Sequence, residues 1–179
     1  FALTEEQTLI QETARRFAEN ELAANAEALD KHEGREQFMA NLQSLAELGF
    51  MGLHIDGDYG GTEAGVVAFA LAVEEIARAC ASTAVTVSIN NMVAECIQAV
   101  GTEAQKQKYL PMICGGAVGS FCLTEPSAGS DPAGMQTKAI KDGDEYILNG
   151  GKIYITSGEI ASVYVLWAVT DPDARKGKG

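Results

Sequence analysis

A chain of 179 residues, 46% of them hydrophobic and 21% charged, carries enough apolar material for a packed globular core, in one domain or one domain plus part of another. Its net charge of −12 excludes binding nucleic-acid phosphates through a general basic surface, though not capture of an anionic cofactor by a few N–H groups and hydroxyls in a pocket. Cys80, Cys96, Cys114 and Cys122 show neither CxxC nor zinc-type spacing, and neither a membrane span nor a signal peptide is read, so buried free thiols in a reducing compartment and no metal are expected.

Residues 1–115 read as helical. Thr4-Glu5-Glu6-Gln7 is a capping box, and behind it Leu9, Ile10, Ala14, Phe17, Ala18 and Leu22 recur at helical spacing. A second helix is expected from near Arg35, with Phe38, Leu42, Leu45 and Leu48 apolar and Gly49 just past its end. A glycine-rich connector over 50–65 includes Gly60-Gly61 after Tyr59. Val66, Phe69, Val73, Ile76 and Ala77 mark a third helix from about Glu63. Ser82 is the expected cap of a fourth, which runs to Val100 with Gly101 behind it. Thr102-Glu103-Ala104-Gln105 is another capping box, opening a short helix through Tyr109 that Pro111 disturbs. His32 and His54 are widely separated and read as surface or connector residues rather than ligands.

From Ala117 the pattern turns to β: 118–123, 136–140, 146–148, 153–155 and 163–169, with Asp142-Gly143 and Asn149-Gly150 as hairpin signals. The fold class is therefore α+β, an all-α domain over 1–115 followed by an incomplete, barrel-like antiparallel β domain over 116–179. A strand domain of about sixty residues has a marginal core, so this one is expected to be unfinished at Gly179.

The richest stretch is 121–134, FCLTEPSAGSDPAG. A short apolar run breaks into a loop where Thr124, Ser127 and Ser130 supply hydroxyls, Gly129 and Gly134 permit close backbone approach, and Pro126 and Pro132 stiffen the turns. Such a loop can offer N–H groups and hydroxyls to a phosphate or to the polar edge of a flat ring. Glu125 and Asp131 read as carboxylates that order the loop by accepting from its N–H groups.

The order Thr124-Glu125-Pro126, Gly129-Ser130-Asp131, Gly134 after a strand-like run resembles the signature of the acyl-CoA dehydrogenase family. The resemblance extends over the whole chain. Leu48-Gly49-Phe50-Met51-Gly52-Leu53 with Tyr59-Gly60-Gly61 is similar to the family's connector, with Asp56 where a proline often stands. Gly101 to Lys106 with Leu110-Pro111 is similar to the entry into the middle domain, and Leu148-Asn149-Gly150-Gly151-Lys152-Ile153-Tyr154-Ile155-Thr156-Ser157-Gly158 follows the signature.

The resemblance implies FAD as cofactor. Phe121, Cys122, Leu123 and Thr124 are expected along the flavin, with Thr124 on its pyrimidine edge. Gly129 and Ser130 are expected near the pyrophosphate, with Ser130 also facing the CoA thioester. Tyr154 and Ile155 are expected beside the ring, and Thr156 directs its hydroxyl to N5. Two such donors on adjacent strands would stabilise the charge a flavin gains on reduction. The implied reaction is α,β-dehydrogenation of an acyl-CoA, with the proton-abstracting glutamate in a C-terminal helical domain beyond Gly179, so no catalytic residue is assigned here. Asn91, Met92 and Cys96 are candidates for lining the acyl pocket, which leans to short, butyryl-type chains. An electron-transferring flavoprotein as acceptor, a homo-oligomer (tetramer or dimer), and a bacterial cytoplasm or mitochondrial matrix come with the resemblance. The rival readings are a related acyl-CoA oxidase or flavin monooxygenase, and a non-catalytic acyl-CoA- or flavin-binding homologue.

Overall fold

The expected capping box opens the first helix: the Gln7 N–H donates to the Thr4 hydroxyl at 3.1 Å, and the Thr4 N–H to the Gln7 side chain at 3.0 Å. This is α1 (Glu5–Phe17) in a computed structural model that describes residues 2–31 and 33–179; His32 lies outside the described residues. The chain then passes through one π turn (Ala18–Leu22) and one 3-10 turn (Ala23–Asn25) into α2 (Ala26–Asp30). The five residues of α2 are too few to show a stripe, so periodicity does not single it out. Ala14, Ala18 and Leu22 are buried. Leu9, expected on the same face, is exposed, because about two and a half turns of helix set it opposite Ala18.

The next helix, α3 (Arg35–Glu47), buries Leu42 and Leu45 and ends at Gly49, whose φ of 82° needs no Cβ. Leu48, expected in the core, is the exposed residue at that cap. The connector is not a surface loop. Phe50, Met51, Leu53 and Ile55 are buried in it, around two 3-10 turns, Phe50–Gly52 and Gly57–Tyr59. His54 is mostly buried there, its ring 4.5 Å from that of Phe69, so it is a connector residue but not a surface one. Asp56 has a φ of −57° that suits proline, but its N–H donates to Gln98 at 2.9 Å and its carboxylate accepts from the Asp58 N–H.

The helices α4 (Gly65–Ala79) and α5 (Ala81–Val100) meet at Cys80, which is extended and caps α5 in place of the expected Ser82. The buried stripe of α4 is Ala68, Ala72 and Ile76; small residues at this spacing let α1 and α5 approach, and Val66 and Ala77 face solvent. The last helix, α6 (Glu103–Cys114), starts at the second capping box and runs through Pro111 rather than ending before it. The proline sits on the exposed side, where a lost N–H costs least, while Leu110, Ile113 and Cys114 are buried around it. Among the described residues no helix is long and apolar enough to cross a membrane.

Four strands follow. β1 (Gly119–Cys122) pairs with β4 (Val163–Leu166) in parallel, Gly119 opposite Val163 and Cys122 opposite Leu166. β2 (Lys138–Asp142) and β3 (Glu145–Asn149) form an antiparallel hairpin at the expected Asp142-Gly143 turn. One bridge, Lys138 to Val169, links the two open sheets. Three expectations fail here. Asn149-Gly150 makes no hairpin, and 153–155 is no strand, because Tyr154 takes a φ of 56° that a ladder cannot hold. An all-antiparallel pattern also gives way to one parallel ladder, the long crossover from β1 to β4 bringing them side by side in the same direction. Helical and β parts share packing: Val118 joins the main helical core, and Val163 packs with Val93, Leu110 and Ile113.

Candidate functional site

The run from Lys152 to Thr156 lies beside the segment that starts in β1, held there by hydrogen bonds. The Ser120 hydroxyl donates to the Thr156 carbonyl at 2.7 Å, the Ile153 N–H to the Thr124 carbonyl at 3.0 Å, and the Lys152 ammonium to the Leu123 carbonyl at 3.0 Å. Thr124 and Thr156 are therefore carried by neighbouring segments, but not by adjacent strands as expected: Thr124 follows β1 and Thr156 opens a turn. Both are half-buried.

Glu125 closes this corner. Its carboxylate, fully inside the protein, accepts from the Lys152 ammonium at 2.7 Å and from the Gln136 and Thr137 N–H groups at 2.6 and 3.0 Å. Burial alone would raise its pKa. The Lys152 ammonium and the two backbone N–H groups outweigh that and hold it at about 2. This is the loop-ordering carboxylate that the sequence suggests. Lys152, buried against it, has one signal in the sequence: it is a lysine within an otherwise uncharged, motif-bearing run. Asp131 is exposed and pairs with Lys176 at 2.7 Å.

Around this corner the expected cofactor residues divide. Phe121 is half-buried with its ring 5.8 Å from that of Trp167, and Leu123 is half-buried as well. Cys122 points into the core, where burial pushes its thiol pKa up, so it contributes backbone rather than a side chain to any surface. Gly129 and Ser130 are exposed in the loop, and a Cβ at Gly129 would meet open space. Tyr154 stands 89% exposed on its left-handed backbone. Ile155 and Thr156 line a cleft of about 690 Å³ with Phe38 of α3 and with Ser82, Val85 and Thr86 at the start of α5.

Asn91 is not available to line an acyl pocket. It is wholly buried, its carbonyl accepting from the Leu53 N–H at 2.7 Å and its amide donating to the Phe50 and Val87 carbonyls at 2.9 and 3.0 Å. Its polar atoms are consumed by the connector, which a helix-face argument from sequence cannot foresee. Met92 is half-buried on α5, and Cys96 lines a separate cleft of about 470 Å³ with Ile97, Val100, Tyr109 and Tyr164.

Residues 4–117 match the family model described as acyl-CoA dehydrogenase, N-terminal domain, and residues 120–179 match acyl-CoA dehydrogenase, middle domain. A short-chain specific acyl-CoA dehydrogenase of Clostridium acetobutylicum is 41% identical over 174 residues, which cover 96% of this chain and 45% of that protein. Butyryl-CoA dehydrogenase from Megasphaera elsdenii superposes with a TM-score of 0.86 at 39% identity, over 96% of this chain and 46% of that one. Glutaryl-CoA dehydrogenase from Mycobacterium smegmatis, solved in complex with FADH2, gives a TM-score of 0.84 at 36% identity, over 94% of this chain and 44% of that one. The chain thus spans less than half the length of the relatives it matches.

Proposed function

Because this chain belongs to the acyl-CoA dehydrogenase family, we propose that it provides the flavin-facing part of an FAD-dependent enzyme that desaturates an acyl-CoA thioester between Cα and Cβ. The observation that carries this reading is the lacing of 152–156 beside 120–125, which brings the two threonine-bearing stretches together from more than twenty-five residues apart in sequence.

The residues present fit the cofactor. Phe121 and Trp167 form an apolar aromatic wall, Tyr154 stands free beside the run, and the open flank of Gly129 leaves its backbone accessible to a phosphate. In this reading Thr124 and Thr156 hold the polar edge of the ring, Phe121, Leu123, Tyr154 and Ile155 exclude water from it, and Gly129 and Ser130 receive the pyrophosphate. FAD, when bound, supplies the hydride acceptor. Glu125 keeps its charge off the phosphates because Lys152 and two N–H groups neutralise it inside the fold.

The proton at Cα is assigned to no carboxylate of this chain. Glu75 and Glu125 are both buried and saturated by cations and N–H donors, which leaves neither free to accept it; the base is proposed, as the family resemblance implies, to be a glutamate outside residues 1–179. A butyryl-sized acyl chain belongs to the same proposal, supported by the short-chain specific relative and the butyryl-CoA dehydrogenase neighbour; an electron-transferring flavoprotein as acceptor and a homo-oligomeric assembly are proposed with it, as the family resemblance implies.

The test is the visible spectrum of the purified whole protein, base-bearing part included, before and after anaerobic addition of butyryl-CoA. A flavin band that bleaches is the expected result, and Thr156→Val should slow the bleaching on the order of 10²-fold, as loss of one charge-stabilising donor does. A protein that takes up no flavin would overturn the reading.

A further inference from the structure

The ion pair between Lys152 and Glu125 is buried on both sides, the two side chains being 7% and 3% exposed. A buried pair seldom stabilises a fold more than apolar residues of the same shape would, so its value lies in the geometry it imposes. Three segments meet at this pair. Lys152 also donates to the Leu123 carbonyl, and Glu125 also receives the N–H groups of Gln136 and Thr137, which lead into β2. The next residues along, Thr124 and Ile153, are joined by their own backbone hydrogen bond. A slip of 152–156 by one residue would separate the charges and strand both in the interior, so only one register is tolerated.

We propose that the Glu125–Lys152 pair is a positioning device for the flavin-facing hydroxyls: it locks 152–156 beside 120–125 so that Thr124 and Thr156 are presented as a fixed pair. The proposal rests on the flavin reading above. Within it neither Glu125 nor Lys152 touches the cofactor, and both act through Thr124 and Thr156.

A single charge removal leaves the other charge buried alone, so the informative variant removes both, Glu125→Gln with Lys152→Met. FAD dissociation constants and the visible band of the bound flavin are measured for four proteins: the parent, Thr156→Val, the paired variant, and the combination. Thr156→Val should weaken FAD about tenfold in the parent and less than about twofold in the paired variant, where the hydroxyl is no longer held in place. Equal factors in the two backgrounds would mean that the pair serves only the fold, and would overturn the proposal.

A second cycle uses Lys152→Arg, which keeps the buried charge and hence the fold. A forked guanidinium cannot reproduce an ammonium that serves Glu125 at 2.7 Å and Leu123 at 3.0 Å at once, so the same loss of the Thr156 effect is expected, and additivity again overturns the proposal. A parent protein without flavin sinks the functional reading itself; a flavin-loaded parent with additive costs sinks only the positioning role.

Discussion

Glu75 is the residue whose surroundings the sequence conceals most. On α4 it occupies a position that helical spacing marks as core, and it is buried there as an anion, with a side chain 5% exposed. The Arg15 side chain donates to it at 2.7 and 3.2 Å, Arg78 at 2.8 Å and Gln11 at 3.1 Å, tying α1 to α4. These donors, Arg15 foremost, outweigh the opposing effect of burial and bring its pKa from 4.5 to about 2. A carboxylate with a depressed pKa in the folded state stabilises fully above its ordinary value and loses that contribution as the pH falls. Stability to urea should therefore drop between pH 4.5 and about 2, by an amount on the order of 3 kcal/mol for this group. Glu125, also held at about 2, adds to the same window. Glu75→Gln should cost about 2 kcal/mol at neutral pH, because the half-exposed arginines can be solvated once the charge is gone, and should flatten the acid limb. An unchanged acid limb in that variant would show that the clamp is unimportant to folding.

Among the elements, the connector over 50–64 differs most from its reading. Its glycines read as a simple connector, whereas residues 50–55 form a buried layer stitched to α5 and 57–63 lie nearer the surface. Asn90 and Asn91 do the stitching. Asn91 serves Leu53, Phe50 and Val87; Asn90 accepts from the Gly119 N–H at 2.7 Å and so also anchors the start of β1. Two adjacent asparagines in a helix are ordinarily weak formers, and their role emerges only when irregular backbone with unpaired N–H and C=O groups is packed against them. Asn91→Ala should cost about 3 kcal/mol in thermal or urea unfolding, since three buried backbone groups lose a partner. Gly61→Ala should be worse, about 4 kcal/mol or more, because its Cβ would run into the Ile55 carbonyl and the backbone cannot give way. A melting temperature within about 2 °C of the parent for either would refute this picture of the connector.

At the scale of the whole molecule, stability is unevenly distributed. The helices share continuous buried clusters that reach Val118 and Val163, whereas the β2–β3 hairpin stands as a two-stranded sheet with Ile140, Tyr146, Ile147 and Leu148 exposed. Two strands without a covered face are marginal on their own. Amide exchange in β2–β3 should run at least about 10²-fold faster than at the centre of α5, and equal protection in the two would contradict this division.

The sequence by itself determined the features governed by neighbouring residues: both capping boxes, the Gly49 stop, the Asp142-Gly143 turn, the change from helix to strand after residue 115, and the motif order that names the family. Each depends on side chain and backbone a few residues apart, where spacing is the physics. Only the tertiary structure decided the parallel pairing of β1 with β4, the left-handed turn at Tyr154, the burial of the connector, and the fates of Asn91 and Lys152. Those outcomes hinge on which distant backbone groups and charges arrive unpaired at the same buried place, and an N–H or a carboxylate carries no mark in the sequence of the partner that will satisfy it.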